Sequence, residues 1–449
     1  MGDAKRITKK RLGGLKLLVD YFYPKELLRL ELIQAKEEGK DISGIEANLD
    51  DQEALDALDE LQKREVSQDF AYDEPNTLEE IKKSRPAQKD LNNKNLSDEF
   101  LLDRLEGAWL GRSAGCWLGK PWEAFGMEKG REGIKAVLKE ANRYPMNSYT
   151  DFDYSDEFMK RHGLHESLKD YRYASFDGMP EDDDLNYTVI GLDIVKRHGR
   201  DFTSVDVANT WMTQLPVLHT FTAERVAYRN FLNLISPPES GFYRNPYREW
   251  IGAQIRADFW GYINPGDLEL AAEYAYRDAC ISHTKNGIYG EMFVAAAIAA
   301  AFVVDSVEEV IEAGLSQIPE NCRLAVAIKD FLNFAAEETD FEKGLDYIWE
   351  KYSSYNPVHT INNALIVVAG LVYGKKDFSK TISIAVMGGW DTDCNGATAG
   401  SILGTLLGAK ELPEKWTAPI NNTLYTGVQG YNKVKISDLA KESLKLIQK

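Results

Sequence analysis

The chain is poor in several things that would decide its class, and each lack narrows the reading. It has 4 cysteines in 449 residues, Cys116, Cys280, Cys322 and Cys394, widely spaced and with no CxxC pair. That argues against a disulfide scaffold or a structural zinc site and fits reduced thiols in a cytoplasmic protein. Basic charge is also in deficit: 53 Lys and Arg stand against 71 Asp and Glu, a formal net charge of −18. Phosphate neutralisation needs a basic face, so nucleic-acid binding is disfavoured, as is adsorption to an anionic membrane. An acid excess is compatible with divalent cations. Long apolar runs are missing too. The longest, Met292–Val304, falls short of the ~20 residues a membrane span needs and reads as a buried helix. Residues 15–22 are apolar but broken by Lys16 and Asp20, which spoils a signal peptide. Two-residue alternation is scarce, and there is no βαβ rhythm and no repeat of 20–50 residues.

What is present is core-forming material, 44% hydrophobic and 11% aromatic residues, with mostly helical periodicity, so the expected class is all-α. Residues 1–97 differ from the rest. They carry 17 basic and 21 acidic residues, and 14 of those acids lie in 41–80 against two bases. Pro24 opens a helix through Leu27, Leu28, Leu30, Leu32 and Ile33. Leu55, Leu58 and Leu61 form a second stripe, Asn76 with Glu79 resembles a helix cap, and 89–97 reads as a polar linker. The expectation is a helical N-terminal extension over 1–97 and an all-α domain over 98–449. In the domain, the stripe Leu185, Val189, Leu192 stops at His198-Gly199, a C-cap signal. Helices are also expected over 290–304, 362–373, 380–387 and 395–410.

Two runs of glycine are spaced by four: Gly107, Gly111, Gly115, Gly119 and Gly396, Gly400, Gly404, Gly408. Each glycine costs roughly 1 kcal/mol against alanine inside a helix, so two such stripes predict helices whose backbones approach closely. Both stripes border acidic motifs. Glu181-Asp182-Asp183-Asp184 precedes an apolar helix. The helix dipole accounts for some negative charge there, but four acids in a row repel one another and call for a cation or solvent. Gly388-Gly389-Trp390-Asp391-Thr392-Asp393-Cys394 leads a double glycine into two acids one residue apart. Such oxygen donors suit Mg²⁺, Mn²⁺ or Ca²⁺ rather than zinc. Taken singly, each cluster is equally a capped helix start. Facing one another, the two can hold a pair of ions about 3.5–4 Å apart.

These motifs resemble the ADP-ribosylglycohydrolase family. Gly107-Ala108-Trp109-Leu110-Gly111 through Gly119-Lys120-Pro121-Trp122-Glu123 is similar to its glycine-rich opening helix and Pro-x-Glu, Glu181–Asp184 sits where the family has Thr-Asp-Asp-Thr, and Gly388–Cys394 is similar to its Gly-Gly-x-Asp-Thr-Asp-Thr. The resemblance implies a compact multi-helix domain with a central binuclear cleft holding two Mg²⁺ or Mn²⁺, and cleavage of a glycosidic bond to ADP-ribose. Carried over, it makes Glu181, Asp182, Asp183, Asp391, Asp393 and Cys394 metal ligands, and Glu123, Asp182 and Asp391 the catalytic residues. Glu181, Asp184 and Cys394 replace hydroxyls of the family pattern, and Cys116 replaces an aspartate. Trp122, Tyr289 and Trp390 are candidates to stack on an adenine or a ribose, with core packing as the alternative. His283 is a fourth candidate substrate contact, with a buried structural role as its alternative. Arg256 is either a phosphate partner or a structural arginine. The expected partner is an ADP-ribosylated protein or a ribosyl small molecule. Hydrolysis of another N-glycosidic substrate and ADP-ribose binding without catalysis remain open alternatives.

Overall fold

The computed structural model describes residues 21–87, 91, 96–150, 154–164 and 177–447. Residues 15–20 and most of the linker run 89–97 lie outside them. The chain is 65% helix and 3% strand, the all-α class that the periodicity predicts. No helix among the described residues is long and apolar enough to cross a membrane.

Among the described residues, two helices of the extension come first, α1 (Pro24–Glu37) and α2 (Asp51–Lys63). Proline opens α1. Asp50 and Glu53 close a reciprocal capping box on α2. A short helix, α3 (Leu78–Lys83), follows. Its cap is Thr77, whose side chain accepts from the Glu80 amide. Asn76, the cap expected from sequence, instead accepts from the Lys285 amide of the domain. Leu27, Leu28, Leu58 and Leu61 form an apolar cluster with Ala223, Val226 and Tyr247 of the domain. Under it runs a buried ionic network. Arg248 pairs with Glu31 and Glu38, and Arg323 with Glu74 and Glu249. The extension is thus packed into the body of the protein.

The domain is organised around two antiparallel helices, α4 (Asp98–Gly119) and α10 (Thr392–Leu407). Ser97 caps α4 by accepting from the Phe100 amide. The glycine stripes meet: a Cβ on Gly107, Gly111 or Gly115 would overlap the carbonyl of Gly404, Gly400 or Gly396, and one on Gly119 would overlap that of Thr392. The loss of helix propensity is thereby exchanged for backbone contact along the whole pair. Because the helices run antiparallel, the C-terminus of α4 lies beside the N-terminus of α10. Thr392 Oγ1 fixes that junction by donating to the Gly119 carbonyl at 2.9 Å.

The third site-bearing helix is α6 (Asp183–His198), reached after α5 (Glu123–Glu140), and it ends at Gly199 with φ 73°. α7 (Asn286–Ala301), buried throughout, starts about a turn earlier than its apolar run suggests. α8 (Thr360–Gly374) and α9 (Phe378–Met387) pack beside α10. A small hairpin that the sequence does not signal, β1 (Thr423–Tyr425) and β2 (Lys433–Lys435), pairs Leu424 with Val434. Leu424 also bridges to Met179, which pins the segment leading into α6.

Candidate active site

Three chain segments deliver charged groups to one place. The turn after α4 brings Lys120 and Glu123, the start of α6 brings Asp182–Asp184, and the start of α10 brings Asp391–Cys394. Asp182 is the N-cap of α6, its carboxylate accepting from the Asp184 amide at 3.0 Å. Asp391 occupies the equivalent place on α10, and its amide donates to Asn363 Oδ1 of α8. Both acid pairs therefore sit at helix N-termini, where the dipole favours negative charge.

The ligand-type atoms fall into two groups that share Asp393. In one, atoms of Cys116, Asp182, Asp184 and Asp393 all lie within 4.8 Å of one another, and in the other so do those of Asp391, Asp393 and Cys394. Lys120 Nζ stands against the first group, 2.8 Å from Asp182 Oδ2, 2.9 Å from Asp393 Oδ2 and 2.8 Å from Glu123 Oε2. Arg112, wholly buried, pairs with Asp184 at 3.0 Å and Asp258 at 2.7 Å. Asp391 Oδ1 and Asp393 Oδ1 in the second group are buried and accept no hydrogen bond, and in the first group Asp182 Oδ2 accepts none either, although it is ion-paired with Lys120. A buried carboxylate oxygen without a donor is costly, and this donor set fits a hard cation. The two thiols contribute less: burial and the neighbouring aspartates push Cys116 and Cys394 far above the usual thiol range, so they stay neutral and suit hard ions poorly.

The acids are strongly perturbed. Burial, followed by their acidic neighbours, pushes Asp391 and Asp183 well above the carboxylate range. Asp184 is also pushed up by burial, despite Arg112. Asp393 goes the other way, because Lys120 and a hydrogen bond from Asp391 outweigh burial. Glu123 is raised to about 7 by burial and by Asp393, against the pull of Lys120. A carboxyl poised there can give or take a proton at neutral pH. A cavity of about 470 Å³ opens over these groups, and Lys120, Glu123, Asp183, Asp391, Asp393 and Cys394 all line it.

A family model described as ADP-ribosylglycohydrolase matches residues 97–449. The chain belongs to the ADP-ribosylglycohydrolase family. One solved structure, titled an ADP-ribosylglycohydrolase-related protein complex, is similar at a TM-score of 0.47 and 16% identity, covering 78% of this chain and 99% of that one. No curated protein matches. Membership supports glycohydrolase activity in the broad sense.

Within this family frame, the structure does not gather every residue expected at the site. Glu181 is turned away: its carboxylate contacts His219 Nδ1 and accepts from Asn186 Nδ2 at 3.2 Å, outside both ligand groups. Trp122 is fully buried, edge-on to Phe125. Trp390 stacks on Trp349 with centroids 4.1 Å apart, so its face is already covered. Tyr289 donates its hydroxyl to the Pro75 carbonyl of the extension. His283 bonds Ser282 Oγ at 2.8 Å and borders a separate cavity between extension and domain, where burial holds its pKa well below the usual value and keeps it neutral. None of these five lines the acidic cavity. Arg256 is structural, buried among Glu224, Asp278 and Glu291. The aromatic walls are instead Tyr21, Phe221 and Trp250. They lie far from the motifs in sequence, and no local pattern announces them. Lys120 belongs to the glycine-rich motif, four residues after Cys116 and just past the striped helix, and that position is the signal in the sequence that marks it.

Proposed function

We propose that the protein is a metal-dependent glycohydrolase that cleaves a glycosidic bond to a ribosyl group, with ADP-ribosyl conjugates as its first substrate class. The carrying observation is the pair of buried, donor-less oxygens, Asp391 Oδ1 and Asp393 Oδ1, beside a carboxyl, Glu123, held at about 7. Asp391 and Asp393 would hold Mg²⁺ or Mn²⁺, which when bound supplies positive charge to polarise water and ribose hydroxyls. Glu123 takes a proton from the attacking water or returns one to the leaving group, because its carboxyl lies in the cavity wall and titrates near neutrality. The surrounding carboxylates favour the positive charge that develops on the sugar ring as the bond breaks. Tyr21, Phe221 and Trp250 offer aromatic faces to a base or a ribose, and about 470 Å³ lies in the range of small-molecule sites. The substrate would be an ADP-ribosylated protein or a ribosyl small molecule, met in the cytoplasm.

The test is a substrate panel of ADP-ribosyl-arginine, ADP-ribosyl-serine peptides and nucleosides with Mg²⁺ or Mn²⁺, followed by chromatography of the released sugar. Turnover of an ADP-ribosyl conjugate that falls about 10²-fold or more in Asp391→Asn and Glu123→Gln is expected. Turnover of nucleosides alone would move the substrate class, and no turnover of any member would sink the hydrolase reading.

A further inference from the structure

We propose that the Lys120 ammonium stands in for one of the two cations that the family resemblance implies, so that this centre holds a single divalent ion on Asp391 and Asp393. The proposal rests on the metal-dependent reading above and concerns only how many ions the site takes.

The two ligand groups differ in how their charge is met. The first is faced by cations of the chain itself. Lys120 has three N–H donors and three carboxylates around it, Glu123, Asp182 and Asp393, each at 2.8–2.9 Å. Glu123 and Asp393 accept hydrogen bonds from it, and Asp182 Oδ2 is held as an ion pair without one. Behind it, Arg112 meets the Asp184 carboxylate and carbonyl. The fourth member, Cys116, is a neutral thiol 3.7 Å from Asp184 Oδ2, the wrong donor for a hard ion. A divalent ion there would lie directly against the part-buried Lys120 ammonium, and the two positive charges repel.

The second group has no such compensation. Asp391 and Asp393 are 4% and 1% exposed, and one oxygen of each has no donor. No lysine or arginine pairs with Asp391 among the described residues. Asp393 divides its two oxygens between the groups, Oδ2 toward Lys120 and Oδ1 left open. One ion on the open side completes the charge pattern, and a second would have to displace Lys120. The ammonium is carried between Gly119 and Pro121 on a turn held by the glycine contact with Thr392, which fixes its origin.

The experiment is metal counting on the full chain. The chain is loaded with Mn²⁺, freed of excess metal by gel filtration and analysed by elemental analysis and electron paramagnetic resonance. The wild type is expected to carry one Mn²⁺ per chain with an uncoupled spectrum, and Lys120→Met to carry two with a spin-coupled spectrum. Lys120→Arg is expected to remain at one. Two coupled ions in the wild type would overturn the proposal and leave the metal-dependent reading intact. A single ion in folded Lys120→Met would overturn it as well, since Lys120 would then not be what limits occupancy. No bound Mn²⁺ in either protein would overturn the metal-dependent reading and this proposal together. If Lys120→Met does not fold, the wild-type count and spectrum alone decide.

Discussion

Gly115 of α4 and Gly396 of α10 touch backbone to backbone, the carbonyl oxygen of each filling the space where a Cβ on the other would stand. The obstacle is backbone on both sides, so neither helix can yield by turning a side chain. Gly115→Ala and Gly396→Ala are each expected to destabilise the protein by about 3 kcal/mol or more, the upper end of overpacking. Chemical denaturation gives the measurement. A variant as stable as wild type would show that the helices are not held at this distance.

Tyr21 carries the extension into the acidic cavity. Its ring meets Tyr247 edge-on at 5.9 Å, with the Arg225 guanidinium 5.4 Å from its centroid. An aromatic contact of this kind is worth about 0.5–1.5 kcal/mol. Tyr21→Ala is therefore expected to raise KM by up to about tenfold with kcat nearly unchanged, and Tyr21→Phe to restore most of the loss. Steady-state kinetics on whichever ribosyl substrate is turned over would check this. An equal fall in kcat would place Tyr21 in the chemistry instead.

The parts that local rules govern were legible in the sequence. The stripes announce the α4–α10 contact because four glycines at helical spacing carry a propensity cost that only close packing offsets. The Asp391-Thr392-Asp393 segment announces a helix start rich in carboxylates for the same kind of reason. Glu181 lies apart from the ligand groups, and the Asp182 cap between it and the helix is extended, with φ −152° and ψ 150°. The chain turns at that cap and sends Glu181 toward His219 rather than along with Asp182. Trp390 and Tyr289 stand near the motifs in sequence, but nearness in sequence does not fix which way a ring points. Trp349 and Pro75, which claim them, belong to distant segments. The cavity walls and the three carboxylates around Lys120 depend on long-range packing, to which periodicity is blind.

Arg323 joins extension to domain. It bonds Glu74 through Nε at 2.9 Å and Nη2 at 2.8 Å, and Glu249 through Nη2 at 2.8 Å. Gln34 of α1 reaches the same Glu249 at 2.7 Å. Arg323→Met would leave two buried carboxylates without their cation, a change of about 3–5 kcal/mol. Because Glu74 and Gln34 belong to the extension, limited proteolysis should cut within 21–87 faster in the variant. Unchanged proteolysis with lowered global stability would show that the extension is held by its apolar cluster alone.

Glu37, at the end of α1, supplies a pH dependence with a definite sign. Burial, and then the charge of Glu249, raises its carboxyl from 4.5 to about 7. The folded protein therefore holds a proton there that the unfolded chain has released. Below about pH 4.5 both states are protonated, and the full contribution of the neutral group is present. As pH rises toward 7 that contribution is lost, and above it the folded state carries a buried charge. At about 1.4 kcal/mol per pH unit, the loss amounts to no more than about 3.5 kcal/mol. Glu37→Gln keeps the neutral form at every pH. The variant should be the more stable of the two at pH 8, and the difference should shrink steadily toward pH 4.5. Glu38, lowered to about 2 chiefly by Arg248 against the opposing effect of burial, acts in the opposite direction, losing stability only as pH falls below about 4.5. The two effects separate when wild type and Glu37→Gln are denatured in parallel across pH 4.5–8. A difference that is constant over that range would mean that Glu37 is ionised in the folded protein throughout.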